Sequence, residues 1–268
     1  MSKHNEKGTA LITGASSGIG ATYAERLARR GYDLLLVARD QPRLEALAER
    51  LGRETGVRVE VLKADLTSKA DLQLVERRLR GDAAISLLVN NAGVAMDGPL
   101  IDADLERFES MIQLNVVALT RLAAAAAANF VGVGRGAIIN LASVVALAPE
   151  LFNAGYSATK AYVLSLSQSL QHEVGPQGVR VQAVLPGVTR TEIWERSGID
   201  ADRIPAAMVM EVGEMVDAAL AGFDQGESIS IPSLPDAADW DALVAARNKL
   251  GPNLSREHAA ARYKTPAQ

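Results

Sequence analysis

Tyr156 and Lys160 stand four positions apart in a stretch of helical period, Asn153 to Gly175. Four residues of helix bring two side chains to one face, so an ammonium can sit beside a phenol whose ordinary pKa is about 10. That proximity favours phenolate and makes Tyr156 usable as a general acid or base near neutral pH. Ser143 follows the apolar run Gly136 to Ala142, where its hydroxyl can hydrogen-bond a carbonyl oxygen and stabilise developing alkoxide charge. A second group of residues suits an anion. Thr13-Gly14-Ala15-Ser16-Ser17-Gly18-Ile19-Gly20 comes directly after a strand-like run and leads into a helix. Glycines there let the backbone turn tightly against a pyrophosphate, while free N–H groups and the positive end of the helix dipole face it. A glycine-rich turn without a ligand is the plainer reading; strand, turn and helix falling in this order favour a nucleotide site.

The end of the second strand reads Val37-Ala38-Arg39. A carboxylate at Ala38 would bond ribose hydroxyls, and there is none; Arg39 next to it can pair with a 2′-phosphate, so NADP is favoured over NAD. Arg39 also reads as a surface residue opening the next helix, and Asp40 is open to pairing with Arg39 or reaching the ribose. His4, His172 and His258 share no metal-ligand spacing, and no metal is expected. Asp102, Asp104 and Glu106 read as acidic capping of a helix start.

These residues must be held by a scaffold, and the chain alternates strand with helix. Thr9–Thr13, Asp33–Ala38, Val57–Lys63, Ile85–Asn90, Gly136–Ala142 and Val179–Leu185 read as strands, apolar almost throughout. Strands of that kind are buried on both faces, the mark of a parallel sheet covered by helices. Helical period follows Ile19-Tyr23-Leu27 with Gly31 as a stop, then about 42–55, 68–80, 102–129, 153–175, 211–223 and 236–250, with a short strand at 228–231. The alanine run Ala123 to Ala128 reads as close helix packing. The reading is one doubly wound α/β domain over 9–250, after a tail at 1–8 and before a tail or interface arm at 251–268.

The chain has 268 residues, 48% of them hydrophobic, a net charge of −4 and no Cys. Thiolate zinc sites, iron–sulfur clusters and thiol catalysis are thereby excluded. Dispersed Lys and Arg give no footprint for nucleic acid. No charge-free stretch reaches the length of a membrane span, and Met1 to Lys7 carries no apolar signal core; neither nucleic acid nor membrane is expected as a partner, and the cytoplasm is the expected location.

Together with the glycine run, Asp65, Asn90-Asn91-Ala92-Gly93, Asn115, Ser143, Tyr156-Ser-Ala-Thr-Lys160 and Pro186-Gly187 follow one another in an order and spacing that resemble the short-chain dehydrogenase/reductase family over residues 9 to about 192. The resemblance implies a Rossmann-like sheet with a C-terminal helical lid and extension, and an NADP-preferring oxidoreductase. It implies Asn115, Ser143, Tyr156 and Lys160 as the catalytic set. Lys160 would also hold the nicotinamide ribose, and together with the oxidised ring's charge it would lower the Tyr156 pKa. Asn115 would place a water that relays protons. Cofactor contacts would come from Gly14, Ser16, Ser17, Gly18, Ile19, Gly20, Arg39, Asp65 (to the adenine amino group), Leu66, Asn91, Ala92, Gly93, Pro186, Gly187, Val188 and Thr191, with Thr189 an alternative to Thr191.

On the substrate side, Val144, Val145, Ala146 and Leu147, with Ile193 and Trp194 in a lid at about 189–210, suit a hydrophobic small-molecule substrate, a ketone or aldehyde. The same lid residues also read as simple packing. Arg190, Arg196 and Arg203 read as solvated lid charges before ligands of an anion. The ending near 228–233 lacks the Asp-Gly-Gly common in the family, leaving a seventh strand in doubt. Family members pair through the helices at 102–129 and 153–175, so a homo-oligomer, dimer or tetramer, is expected. An NADP-binding sensor or scaffold without turnover is the alternative; the intact Asn-Ser-Tyr-Lys set speaks for catalysis.

Overall fold

The computed structural model describes residues 7–192 and 204–264. The lid residues Ile193, Trp194, Arg196, Ile199 and Arg203, and His4 in the tail, lie outside the described residues. The chain divides into two compact units, 1–232 and 233–268.

The first unit is built in the order β1 (Thr9–Thr13), α1 (Gly18–Arg29), β2 (Asp33–Ala38), α2 (Gln41–Thr55), β3 (Val59–Lys63), α3 (Lys69–Gly81), β4 (Ile85–Asn90), α4 (Leu105–Ile112), a π turn (Gln113–Ala118), α5 (Leu119–Val133), β5 (Gly136–Leu141), α6 (Ala154–Val174), β6 (Val179–Val184), β7 (Thr189–Arg190), β8 (Met210–Glu211), α7 (Val212–Gln225) and β9 (Ile229–Ser230). Seven strands form one sheet in the order β3-β2-β1-β4-β5-β6-β9, every neighbour parallel. The Rossmann-like expectation holds, and the doubtful seventh strand exists: Ala183 and Val184 pair with Ile229 and Ser230. The order reverses between β1 and β4, the switch point at which such sheets take their ligands beyond the strand C-termini.

The alternation of side chains across a strand explains why both faces are covered. Ala10 and Ile12 of β1, Leu34 and Leu36 of β2, and Leu87 and Val89 of β4 face a core shared with Tyr23 and Leu27 of α1, Leu44 and Leu51 of α2, and Met215 and Leu220 of α7. Leu11, Leu35, Val37 and Leu88 point the other way, onto Leu72, Val75 and Leu79 of α3 and Leu122, Ala125, Ala126 and Phe130 of α5. Of the alanine run read as close helix packing, Ala125, Ala126 and Ala127 are buried in this core. The continuous helical run Leu105–Val133 is long and apolar enough to cross a membrane by length and composition; here Leu122, Ala125, Ala126 and Phe130 are spent on the core.

Two local features depart from the sequence reading. The stretch read as one helix over 102–129 is a short 3-10 turn at Leu100–Asp102, then α4, the π turn and α5. Asp104 starts α4 by accepting from the N–H groups of Glu106 and Arg107. Within the lid range, the described residues form a two-stranded parallel pair, β7 with β8, and a 3-10 turn at Ala206–Met208 where a helix was expected.

The second unit contains α8 (Ala237–Leu250), capped by Asp236 accepting from the Ala238 N–H, then 3-10 turns at Gly251–Asn253 and Ala261–Tyr263. None of the α8 residues is buried.

Leu88 of β4 is fully buried in the second core. Leu88→Ala is expected to lower the unfolding free energy by about 2–5 kcal/mol, read from urea denaturation of the purified protein; a loss within the error of the method would contradict this account of the core.

Candidate active site

The C-terminal ends of β1, β4, β5 and β6 deliver the residues the sequence singled out. After β1 the chain turns through Gly14 and Gly18, both in left-handed backbone, φ 65° and 52°, a region open to glycine at no steric cost. A Cβ on Gly14 would lie 2.8 Å from Asn91 Nδ2, and one on Gly20 would fall inside contact distance of the Gly14 carbonyl oxygen. The turn is thus held closed against the start of α1. Ser17 stands at the helix N-cap in extended backbone with no side-chain cap of its own, which leaves the first N–H groups of α1 for an anion. Ser16 and Ile19 flank it, half-buried. Thr191 lies against Gly18: a Cβ on Gly18 would touch the threonine side chain at 3.4 Å.

Asn91 binds the two nucleotide motifs together. Its Nδ2 donates to the Thr13 carbonyl at 2.9 Å and to that of Gly14 at 3.3 Å. The Thr13 hydroxyl accepts from the backbone N–H groups of Asn91 and Ala92, both at 3.0 Å. Thr13 escaped the sequence reading because a threonine closing a strand looks like ordinary strand composition. Gly93 approaches Asn115: an added Cβ would lie 3.1 Å from its Oδ1. Asn90, in the sheet, donates to Asn140 Oδ1 and to the Leu119 carbonyl, so its role is structural.

Arg39 projects from the end of β2 with its side chain 72% exposed, its nearest anion Asp65 Oδ2 at 4.0 Å. The guanidinium therefore remains open to a further anionic group. Burial pushes the Asp65 carboxyl up, but two hydrogen bonds from Thr67 together with the Arg39 charge outweigh it and hold the group below the usual range. Asp40, read as a partner for Arg39 or the ribose, instead caps α2 by accepting from the Arg43 N–H and pairs with the Arg43 side chain. Arg43 is tied in turn to Glu192 at 2.9 Å. The Leu66 side chain lies in the core, packed with Leu72 and Val75, so only its backbone can face a ligand.

The Tyr-Lys pair sits where α6 passes over the end of β5. Asn153 caps that helix, its Oδ1 accepting from the Tyr156 N–H at 2.9 Å; an Asn three residues before the tyrosine is a capping signal that the sequence carried. Lys160 is buried, its Nζ donating to the Leu141 carbonyl at 2.8 Å and lying 5.5 Å from the centre of the Tyr156 ring. Burial lowers the ammonium to about 8. Tyr156 is held by an edge contact with Phe152, ring centres 5.4 Å apart, and its phenol lies beside the Ser143 hydroxyl. Burial pushes the phenol up, against the weaker downward pull of Ser143. In the chain by itself the phenol is therefore protonated at neutral pH. The expected lowering by Lys160 is not among its causes here; that expectation also required the charge of an oxidised nicotinamide.

Ser143 Oγ is placed by the Pro186 carbonyl at 3.4 Å and by the Val145 N–H at the same distance. The turn after β6 is fixed by the Val144 N–H donating to Pro186, the Thr189 hydroxyl to Gly187, and the Met210 N–H to Val188. Arg190, read as a solvated lid charge, pairs with Glu211 at 2.7 Å. Asn115, buried in the π turn, accepts from the Val94 N–H at 2.9 Å and donates to the Val94 carbonyl at 2.8 Å and to Thr159 Oγ1 at 3.3 Å. Its side chain is committed to these protein partners. The four expected catalytic residues thus converge from α6, β5 and the π turn. The glycine cradle, the open N-terminus of α1 and the exposed Arg39 make a set of donors suited to a dinucleotide carrying a 2′-phosphate.

The model of the short chain dehydrogenase family matches residues 8–202. The chain belongs to that family. Among solved structures, this short-chain dehydrogenase is similar to one from Sphingobium yanoikuyae in complex with NADPH, 59% identical, covering 96% of this chain and 100% of that one, with a TM-score of 0.93. It is also similar to the bulky-bulky ketone specific alcohol dehydrogenase from Comamonas testosteroni, 50% identical, covering 96% and 98%, TM-score 0.88. A further relative is the NADPH-dependent 1-acyldihydroxyacetone phosphate reductase of Schizosaccharomyces pombe, 28% identical over 92% of this chain and 90% of that protein.

Gly20→Ala places a methyl group against the backbone carbonyl of Gly14 and against the Asn91 amide that bonds it. The glycine turn must open, and NADPH affinity measured by fluorescence titration is expected to fall by about 10-fold or more, the equivalent of one charge-assisted hydrogen bond. An unchanged affinity would mean that the turn does not shape the cofactor site.

Proposed function

We propose that this short-chain dehydrogenase reduces hydrophobic ketones or aldehydes with NADPH, Tyr156 giving its proton to the carbonyl oxygen. At the coarser level the protein is an oxidoreductase of alcohol and carbonyl groups that uses NADP(H). The observation that carries the finer reading is the meeting of Tyr156, Ser143 and Lys160 at the end of β5, with the buried Lys160 ammonium held by the Leu141 carbonyl 5.5 Å from the centre of the Tyr156 ring.

NADPH, when bound, would supply the hydride that the carbonyl carbon takes up. The glycine turn and the N-terminus of α1 would hold its pyrophosphate, and Arg39 its 2′-phosphate. Ser143, fixed by Pro186 and Val145, offers its hydroxyl to the carbonyl oxygen, where negative charge grows. Tyr156 passes the phenolic proton to that oxygen, and Lys160, with a pKa of about 8, is the group that returns a proton to the phenolate. For the substrate, Val144, Val145 and Ala146 stand half-covered directly after Ser143, with Leu147 and Leu151 exposed beyond them, and a relative at 50% identity is specific for bulky ketones. For the assembly, Leu105 and Val133 on α4 and α5 and Tyr162 on α6 leave apolar surface uncovered, which supports pairing of copies through these helices.

Three measurements test this reading. Tyr156→Phe is expected to lower kcat for reduction of a bulky ketone by about 10²- to 10⁴-fold, the usual contribution of a positioned acid, with NADPH binding retained; turnover at the wild-type rate would refute the proton-donor role. Reduction consumes a proton, and Lys160 has one to give only while charged. At saturating NADPH the rate is therefore expected to decline as pH rises through about 8, and a rate that climbs through this range would oppose the assignment. Arg39→Ala is expected to weaken NADPH binding by about 10- to 100-fold while NADH binding stays unchanged, the worth of a hydrogen bond to a charged group; equal loss for both cofactors would remove Arg39 as the 2′-phosphate residue.

A further inference from the structure

Thr159 precedes Lys160 on α6 and is 4% exposed. Its hydroxyl donates to the Tyr156 carbonyl at 2.8 Å and accepts from Asn115 Nδ2 at 3.3 Å. A hydroxyl that bonds back to its own helix is common: Thr22 and Thr55 do the same with the carbonyls of Gly18 and Leu51. What sets Thr159 apart is the second bond, which joins the backbone of one candidate catalytic residue to the side chain of another.

The partner on the far side is no ordinary helical residue. Asn115 lies in the π turn, where the backbone takes an i→i+5 step and one residue is extra relative to an α-helix. Its amide also clasps both backbone groups of Val94, so through Asn115 the hydroxyl reaches the loop that follows β4 and carries Gly93. Two elements therefore meet at one oxygen atom, α6 at Tyr156 and the π turn at Asn115, and Asn115 carries the link on to the loop after β4. Because Asn115 is only 1% exposed, its second N–H has no water to turn to if that oxygen is removed, and a buried donor without an acceptor costs about 1–3 kcal/mol. The local structure must then shift to find one.

We propose that Thr159 is a positioning residue, whose hydroxyl fixes Tyr156 relative to Asn115 and so sets the alignment for proton transfer without taking part in cofactor binding. The proposal rests on the reading of Tyr156 as the proton donor. Alignment of this kind acts on kcat, since a displacement of about 1 Å at a reacting group can cost about 10²-fold in rate.

Thr159→Val keeps the shape of the side chain and deletes the hydroxyl; Thr159→Ser keeps the hydroxyl and deletes the methyl. With the bulky ketone as substrate, Thr159→Val is expected to lower kcat by about 10-fold or more with the KM for NADPH within about twofold, and Thr159→Ser to return kcat to within about threefold of wild type. The proposal is overturned by a wild-type kcat in Thr159→Val, by a KM for NADPH that rises in step with the loss of kcat, or by a serine variant as slow as the valine one. If circular dichroism shows that Thr159→Val does not fold, Thr159→Ala takes its place, and alanine must be slower than serine. Tyr156→Phe, assayed alongside, separates the two levels. An inactive Tyr156→Phe with a fully active Thr159→Val overturns the positioning role alone, whereas an active Tyr156→Phe overturns the reading beneath it.

Discussion

A primary amine buried at the end of a parallel sheet is the constraint around which the site is arranged. The ammonium of Lys160 has lost most of its water, and the Leu141 carbonyl, at the last residue of β5, is the acceptor that replaces part of it. Burial of a charge without such a partner costs several kcal/mol, so the bond fixes where α6 crosses the sheet. Two consequences follow from covalent geometry alone. Tyr156, one turn earlier on α6, is carried over the end of β5, and Ser143, two residues beyond Leu141, is delivered to the same place. The meeting of serine and tyrosine is therefore a product of how the lysine is accommodated, and burial both lowers the lysine pKa and raises that of the phenol.

The dinucleotide half obeys a different rule, close approach of backbone to backbone. Gly14 and Gly20 are small because the Gly14 carbonyl must pass the first turn of α1 without a Cβ between them. The turn would be loose if nothing held its other side, and Asn91 and Thr13 do so with four hydrogen bonds. The two motifs are 77 residues apart in the sequence, yet β1 and β4 are neighbours in the sheet. Strand order thus converts distant sequence positions into a single rigid cradle, at the point where the order reverses.

Much of this was legible before the structure. Strands buried on both faces leave a strong mark, since Leu34 to Val37 must be apolar at every position when alternate side chains meet different cores. The glycine turn, the Tyr-Lys pair and Ser143 are set by local spacing and were found where expected. Other features leave no such mark. A π turn changes the hydrogen-bond step without changing composition, so Asp102 to Asn129 showed unbroken helical period. Strands β7 and β8 have two residues each, too few for any period. The placement of Leu66 in the core depends on how α3 packs, which the local sequence does not state; the pairing of Asp40 with Arg43, by contrast, is a local cap of α2 three residues apart.

The π turn also explains why the site needs Asn115 on a distorted element. In a regular α-helix every backbone group along the run is bonded within the helix, and side chains leave at fixed angles of 100°. An inserted residue rotates all that follows, and α5 continues with Leu122, Ala125, Ala126 and Phe130 in the core, while α4 before it buries Met111. Asn115 falls at the junction, buried and polar, and its amide is satisfied only by reaching out of its own helix to Val94 and Thr159. The Asn115 amide finds its three partners on the loop after β4 and on the helix that carries Tyr156, which ties Tyr156 and Lys160 to the same sheet end as the glycine turn.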